Sequence, residues 1–186
     1  MCIRLSDWLY RFSGGRLTLA ALLVFLLFTA LVLPAQSSRM ETDAGSPDTS
    51  LFYSPADLYA MAEAYGAEGR QAYIQVRFTF DLIWPLVYLF FLATAISCVF
   101  GRAFPAGSIW RRANLAPFLG TLFDYLENIS TSLVMGRYPA RTPVVDVLAP
   151  AFTVIKWLFV GGSFVLLLAG VVLMLQRWVW GRRHSV

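Results

Sequence analysis

The chain has 186 residues, enough for one soluble domain or a small helical membrane bundle. Hydrophobic residues make up 58% and charged residues 14%, against roughly 45–50% and about 25% in ordinary soluble domains, and the excess is gathered into four blocks, which excludes an ordinary soluble fold. The net charge of +4 would suit nucleic acid, but the basic residues flank the apolar blocks and so read as a topology signal, not as a nucleic-acid surface.

The first segment carries Arg4, Arg11 and Arg16 ahead of the apolar block "LTLAALLVFLLFTALVL" (17–33). A span needs about 20 mostly apolar residues, with a range of about 17–25, so this block lies at the short end. Residues 1–35 also fit a signal peptide with "LPA" as its cleavage site. The 17-residue run exceeds the usual h-region of about 7–15 residues, and Leu33 breaks the small-x-small pattern. The expectation is therefore an uncut first span.

Residues 34–77 form the one sizeable loop. "PAQSSRMETDAGSPDTS" reads as irregular, being rich in Ser, Pro and Asp. In "YSPADLYAMAEAYG", Ser54 is an N-cap, Pro55 suits the first helical position, Asp57 completes a capping box and Gly66 is a stop. The spacing predicts a short helix over 55–65. Leu58, Met61, Ala62 and Tyr65 share a face that lies on the membrane surface or caps the mouth of the bundle.

The second block is "FTFDLIWPLVYLFFLATAISCVF" (78–100). No breaker separates Gly69 from Pro85, so one helix is expected to begin outside the membrane and run in. One side of it would carry Arg70, Arg77, Asp81, Trp84, Pro85, Tyr88 and Ala95, with Arg77 and Asp81 as an i,i+4 pair. Trp84, like Trp157 later, is expected to anchor at the membrane interface.

The third block, "NLAPFLGTLFDYLENISTSLVM" (114–135), is the least hydrophobic. At 100° per residue it resolves into two faces. Pro117, Gly120, Thr121, Asp124, Glu127, Asn128 and Thr131 share one, and Leu119, Leu122, Leu126, Ile129 and Leu133 share the other. The acids therefore look into the bundle. An ionisable group in hydrocarbon costs about 2.5–3.5 kcal/mol, which marks Asp124 and Glu127 as functional candidates. Asn128, Thr131 and Ser163 alone would be ordinary interhelical fasteners.

The fourth block is "APAFTVIKWLFVGGSFVLLLAGVVLMLQ" (149–176), with Lys156, Ser163 and Gly170 on one face. At about 1.5 Å per residue, Glu127 lies roughly 13 Å from the outer end of its span and Lys156 roughly 9–12 Å, so these two are expected to pair. Asp124 lies deeper, at roughly 18 Å on the same rise, with Asn128, Tyr88 and Thr121 as its expected hydrogen-bond partners. Arg77 and Lys156 face Asp81, Asp124 and Glu127, one negative charge in excess. A proton or a cation is expected to balance it, with Asp124 as the proton holder.

Nine arginines (Arg4, Arg11, Arg16, Arg102, Arg111, Arg112, Arg177, Arg182 and Arg183) fall on one side of a four-span chain, and a net-acidic loop falls on the other. Both termini are therefore expected in the cytoplasm, with the chain in the cell membrane. Cys2 and Cys98 are far apart and form no C-x-x-C, which disfavours a disulfide framework and the membrane quinone or disulfide reductases. His184 stands alone in the tail and offers no His-based metal site; a carboxylate-only cation site stays open. Nothing calls for a cofactor.

The run "YGAEGRQAYIQVRFTFDLIWPLVY" followed by "FDYLEN" resembles small bacterial four-span membrane proteins, a resemblance that implies no function. In architecture alone the chain also resembles sterol-isomerase-like four-span folds, whose acids and aromatics face an internal cavity.

The expected fold is thus a single all-α domain, an integral membrane four-helix bundle with a short extramembrane helix in its first outer loop. The expected function is binding or acting on a small amphipathic or cationic ligand. Asp124 and Glu127 would do the chemistry by proton transfer, with Asn128, Lys156, Tyr88, Trp84, Asp81 and Arg77 around the ligand. The rivals are an assembly subunit that seals against partner membrane helices, and proton or cation translocation.

Overall fold

A computed structural model describes residues 2–34 and 45–183. His184 and residues 35–44, which fall in the loop expected outside the membrane, lie outside the described residues. All regular structure among the described residues is helical. The helices are α1 (Cys2–Phe12), α2 (Gly15–Leu27, continued by a wider turn over Phe28–Val32), α3 (Pro55–Ala64), α4 (Gly66–Arg77), α5 (Phe80–Ala103), α6 (Ala116–Arg137) and α7 (Val145–Arg183). Short 3-10 turns occupy Pro47–Thr49 and Ile109–Leu115.

Three stretches are long and apolar enough to cross a membrane: Gly15–Val32, Gly66–Ala103 and Val145–Trp180. The apolar window of the first is only 6% buried and that of the third 17%. Apolar exposure on that scale suits a bilayer and not water. At 22 residues α6 is longer than the first of these, but its polar face keeps it out of that set.

The start of α3 follows its sequence signal. The Ser54 backbone N–H donates to Asp57 Oδ2 at 2.8 Å, and the Asp57 N–H donates to Ser54 Oγ at 3.2 Å, which closes the capping box. Leu58, Met61, Ala62 and Tyr65 are all buried, and they pack with Tyr73, Val134, Met135 and Ala149. Gly66 takes φ +63, a conformation glycine reaches without strain, and it turns the chain into α4.

The single long helix expected from Gly69 onward is interrupted. Phe78 and Thr79 leave helical geometry, and a new helix starts at Phe80. The Thr79 hydroxyl donates to the Gln75 carbonyl at 2.7 Å, a side-chain bond of the kind that bends helices. Pro85 lies inside α5, where it has no N–H for the ladder. Hydroxyls on α6 tie onto carbonyls of this part of α5: Tyr125 donates to Leu82 O at 2.8 Å and Thr121 to Pro85 O at 3.3 Å.

The two faces read from the third block separate by burial. Pro117, Gly120, Thr121, Asp124, Glu127, Asn128 and Thr131 are buried. Leu119, Leu122, Ile129 and Leu133 are exposed. Small residues set the close approaches. A Cβ on Gly120 would sit 2.8 Å from Val160 Cγ2, and one on Gly170 would sit 2.8 Å from Phe100 Cδ2 and 2.9 Å from Val99 Cγ1.

At one end of the molecule, α1 packs on the 109–115 turn. Ser6 Oγ donates to Asn114 Oδ1 at 2.8 Å, Asn114 Nδ2 donates to Ser97 Oγ at 3.0 Å, and the Tyr10 hydroxyl donates to Arg111 O at 2.7 Å. At the other end lie α3, the 47–49 turn and the link into α7. Here Tyr59 OH accepts from the Thr142 N–H at 2.7 Å and donates to Asp146 at 3.3 Å.

Trp84 is not an isolated interface anchor. It stacks on Phe25 and Phe28 of the second helix and meets the Tyr88 ring edge-on. Trp157 is half-buried, and its indole N–H donates to Ser50 O at 3.1 Å, which ties α7 to the segment ahead of α3.

Candidate functional site

At the end of the molecule that holds α3, four helices and the segment ahead of α3 bring their charged side chains together. Lys156 on α7 is the hub. Its Nζ lies 2.5 Å from Glu127 Oε2, 3.5 Å from Asp48 Oδ1 and 3.9 Å from Asp124 Oδ1. The pairing with Glu127 is the one that matched depths predict. Arg77 at the end of α4 lies 3.0 Å from Asp48 Oδ1 and forms an ion pair with Asp81 one turn on, across the break. Its guanidinium also lies over the Tyr73 ring at 4.5 Å.

Hydroxyls complete the network. Tyr88 OH donates to Asp124 Oδ2 at 2.8 Å. The Thr153 hydroxyl is 2.7 Å from Glu127 Oε1 and 3.0 Å from Tyr53 OH. Tyr73 OH donates to Thr131 Oγ1 at 3.1 Å. Except for Asp48, every charged member is buried, with Glu127 only 1% exposed.

The structure thus joins Asp124, Glu127, Lys156, Tyr88, Asp81 and Arg77. Of the partners expected for Asp124, only Tyr88 bonds to it. Thr121 donates to a backbone carbonyl instead. Asn128 is buried on the same face, with its Nδ2 unpartnered. Trp84 meets the network at the Tyr88 ring.

Asp48 was missed. The loop around it reads as irregular, and its one local signal is the Ser46–Pro47 opening, which repeats the Ser54–Pro55 opening of α3. Its arrival alters the charge balance. Arg77 and Lys156 now face four carboxylates, Asp48, Asp81, Asp124 and Glu127, so the excess is two negative charges, not one.

One oxygen each from Asp48, Asp124 and Glu127 lie within 4.8 Å of one another, a spacing that could hold a metal ion. Lys156 Nζ sits within 3.9 Å of all three acids and gives the trio a cation of its own. The network is a nest for an ammonium group, and the protein supplies one.

Comparison with protein-family models, with curated proteins and with solved structures finds no match.

Burial pushes the Asp48 carboxyl upward, but the Arg77 and Lys156 charges overrule it and hold it at about 2, against an ordinary 3.8. At Tyr53, burial and the Glu127 charge both push the phenol up, so it stays a neutral hydrogen-bonding group. A folded-state value below the unfolded one stabilises the fold above the ordinary value. That stability is lost as pH falls from about 4 toward 2. The shift of about two units would be worth about 2.5 kcal/mol unscreened. The Asp48 side chain is 34% exposed, so screening reduces this to about 1 kcal/mol. Asp48→Asn is expected to lower unfolding stability by about 1 kcal/mol at pH 7. The gap from the parent should close in unfolding titrations between pH 4 and pH 2.

Proposed function

We propose that the chain is a four-span membrane protein with α2, α4–α5, α6 and α7 as its spans, α3 outside and both termini in the cytoplasm. Its outer half binds a small cationic or cationic-amphipathic ligand through Asp124 and Glu127. The observation that carries this reading is the formal excess of two negative charges in a network that is buried except at Asp48. Uncompensated charge in a low-dielectric interior is costly, so the cluster draws positive charge from outside, as protons or as a ligand. Asp124 is the acid with most to offer, since Lys156 stands 3.9 Å from it and 2.5 Å from Glu127. Asp48, just ahead of α3, meets both cations of the cluster.

Alkylammonium ions, with the matching neutral alcohols as controls, are expected to raise the melting temperature of the purified protein saturably. The alcohols should not. The response should vanish in the Asp124→Asn/Glu127→Gln double variant. A parent without a response, or a double variant that responds equally, would favour a second reading, that of a non-enzymatic assembly subunit. That reading is supported by one observation: Lys156 already sits among three carboxylates, so the cluster has the form of a lock on the outer loop.

Topology has its own test. In a background without Cys2 and Cys98, Ser46→Cys is expected to react with an impermeant thiol reagent added to intact cells, and Ser185→Cys only after lysis. The reverse pattern would overturn the orientation.

A further inference from the structure

Beside α1, a groove of about 360 Å3 opens between α1, α2, α5 and α6. Trp8, Leu17, Phe90, Ala93 and Phe118 wall it, and its size falls within the range of about 300–1,000 Å3 that holds small molecules. One unanswered polar group borders this apolar space. Ser13 is 9% exposed, and its hydroxyl has no partner, whereas buried hydroxyls nearly always have one. Thr94 also lines the groove, but its hydroxyl is committed to Phe90 O at 2.7 Å and Phe91 O at 3.1 Å.

Ser13 immediately precedes the start of α2, where Gly14 is extended and no side chain caps the helix. The first N–H groups of a helix lack internal partners and attract an anion. Open space surrounds the position a Gly14 Cβ would take. Positive charge stands around this opening: Arg11 and Arg16 are exposed on either side, and Arg102 Nη2 lies 3.9 Å from where a Gly15 Cβ would be. On α1, exposed Leu5, Trp8 and Phe12 accompany exposed Arg4 and Arg11, the pattern of a helix that lies in a membrane interface.

We propose that this groove binds one anionic phospholipid. An acyl chain would lie along Phe90 and Ala93, and the headgroup phosphate would sit at Ser13 and the uncapped start of α2, flanked by Arg11 and Arg16. The two ends of the site together define the occupant. A free anion leaves the apolar walls unfilled, and a neutral hydrocarbon leaves the hydroxyl, the helix start and the arginines unanswered. In the four-span orientation the site faces the cytoplasmic leaflet, where anionic lipid attracts basic segments.

The test is native mass spectrometry of the full chain in neutral detergent with phosphatidylglycerol or phosphatidylcholine added. One phosphatidylglycerol is expected to survive activation that strips phosphatidylcholine. Ala93→Phe fills the groove and should abolish that retention. Arg16→Gln, at an exposed position that leaves packing untouched, should reduce it even if Ala93→Phe does not fold. In parallel thermal melts, phosphatidylglycerol is expected to stabilise the protein and inorganic phosphate is not. Equal retention of the two lipids, or retention unchanged in Arg16→Gln, would mean only annular lipid and overturn the proposal. Equal stabilisation by phosphate alone would also overturn it, in favour of a free anion.

Discussion

Lys156→Met is expected to be the most damaging single substitution in the charged network. Methionine keeps the length and the apolar stem but removes the ammonium that stands within reach of Glu127, Asp124 and Asp48. Removing one partner of a buried ion pair costs about 3–5 kcal/mol, because the other charge is left uncompensated. Here three acids lose a neighbour, and only half-buried Asp48 can turn to solvent or to Arg77. Adding Glu127→Gln removes the acid nearest the missing charge and leaves an amide oxygen for the Thr153 hydroxyl, which now donates to Glu127 at 2.7 Å. The double variant should therefore recover part of the loss in denaturant unfolding. A coupling energy between the two sites is the expected reading. Strictly additive losses would mean that Lys156 does its work through Asp48 and Asp124, with Glu127 a bystander.

Much of this network can be read from the sequence because helices are regular. The 100° rotation places Asp124, Glu127, Asn128 and Thr131 on one face, and the 1.5 Å rise puts Glu127 and Lys156 at matched depth. The capping box at Ser54 is legible for the same reason: its four residues fix their own geometry. Asp48 is not legible. It lies in a loop without periodicity, 108 residues from the lysine it meets, and nothing local encodes that contact. The break at Phe78–Thr79 is hidden too, because neither residue is a strong breaker and the bend comes from a hydroxyl bonding back to Gln75. Arg4 and Arg11 read as topology signals from charge alone. That they decorate a helix packed on the 109–115 turn depends on Ser6 meeting Asn114 from far along the chain. Trp84 shows the limit of composition rules: an aromatic near a span end can serve helix packing as well as the interface.

Asp124→Asn separates a working acid from a structural tie. The amide keeps the side chain's shape, and its oxygen can still accept from Tyr88 OH, now 2.8 Å from Asp124 Oδ2. Stability near pH 5 should therefore stay within about 1.5 kcal/mol of the parent, the scale of one exchanged hydrogen bond. The pH profile is where the two roles diverge. If the cluster answers its excess of two negative charges by taking up protons, the folded state binds more protons than the unfolded chain, whose separated carboxyls are ionised above about pH 5. Stability rises with pH only where the unfolded state holds more protons, so here it should fall as pH rises. The slope approaches about 1.4 kcal/mol per pH unit for each proton held, or up to about 4 kcal/mol between pH 5 and pH 8. Asp124→Asn removes the least compensated acid, so its melting temperature should be much flatter across that range than the parent's. Matching slopes in both proteins would show that no proton resides at Asp124, and the residue would then belong with Thr131 and Ser163 as a fastener between helices.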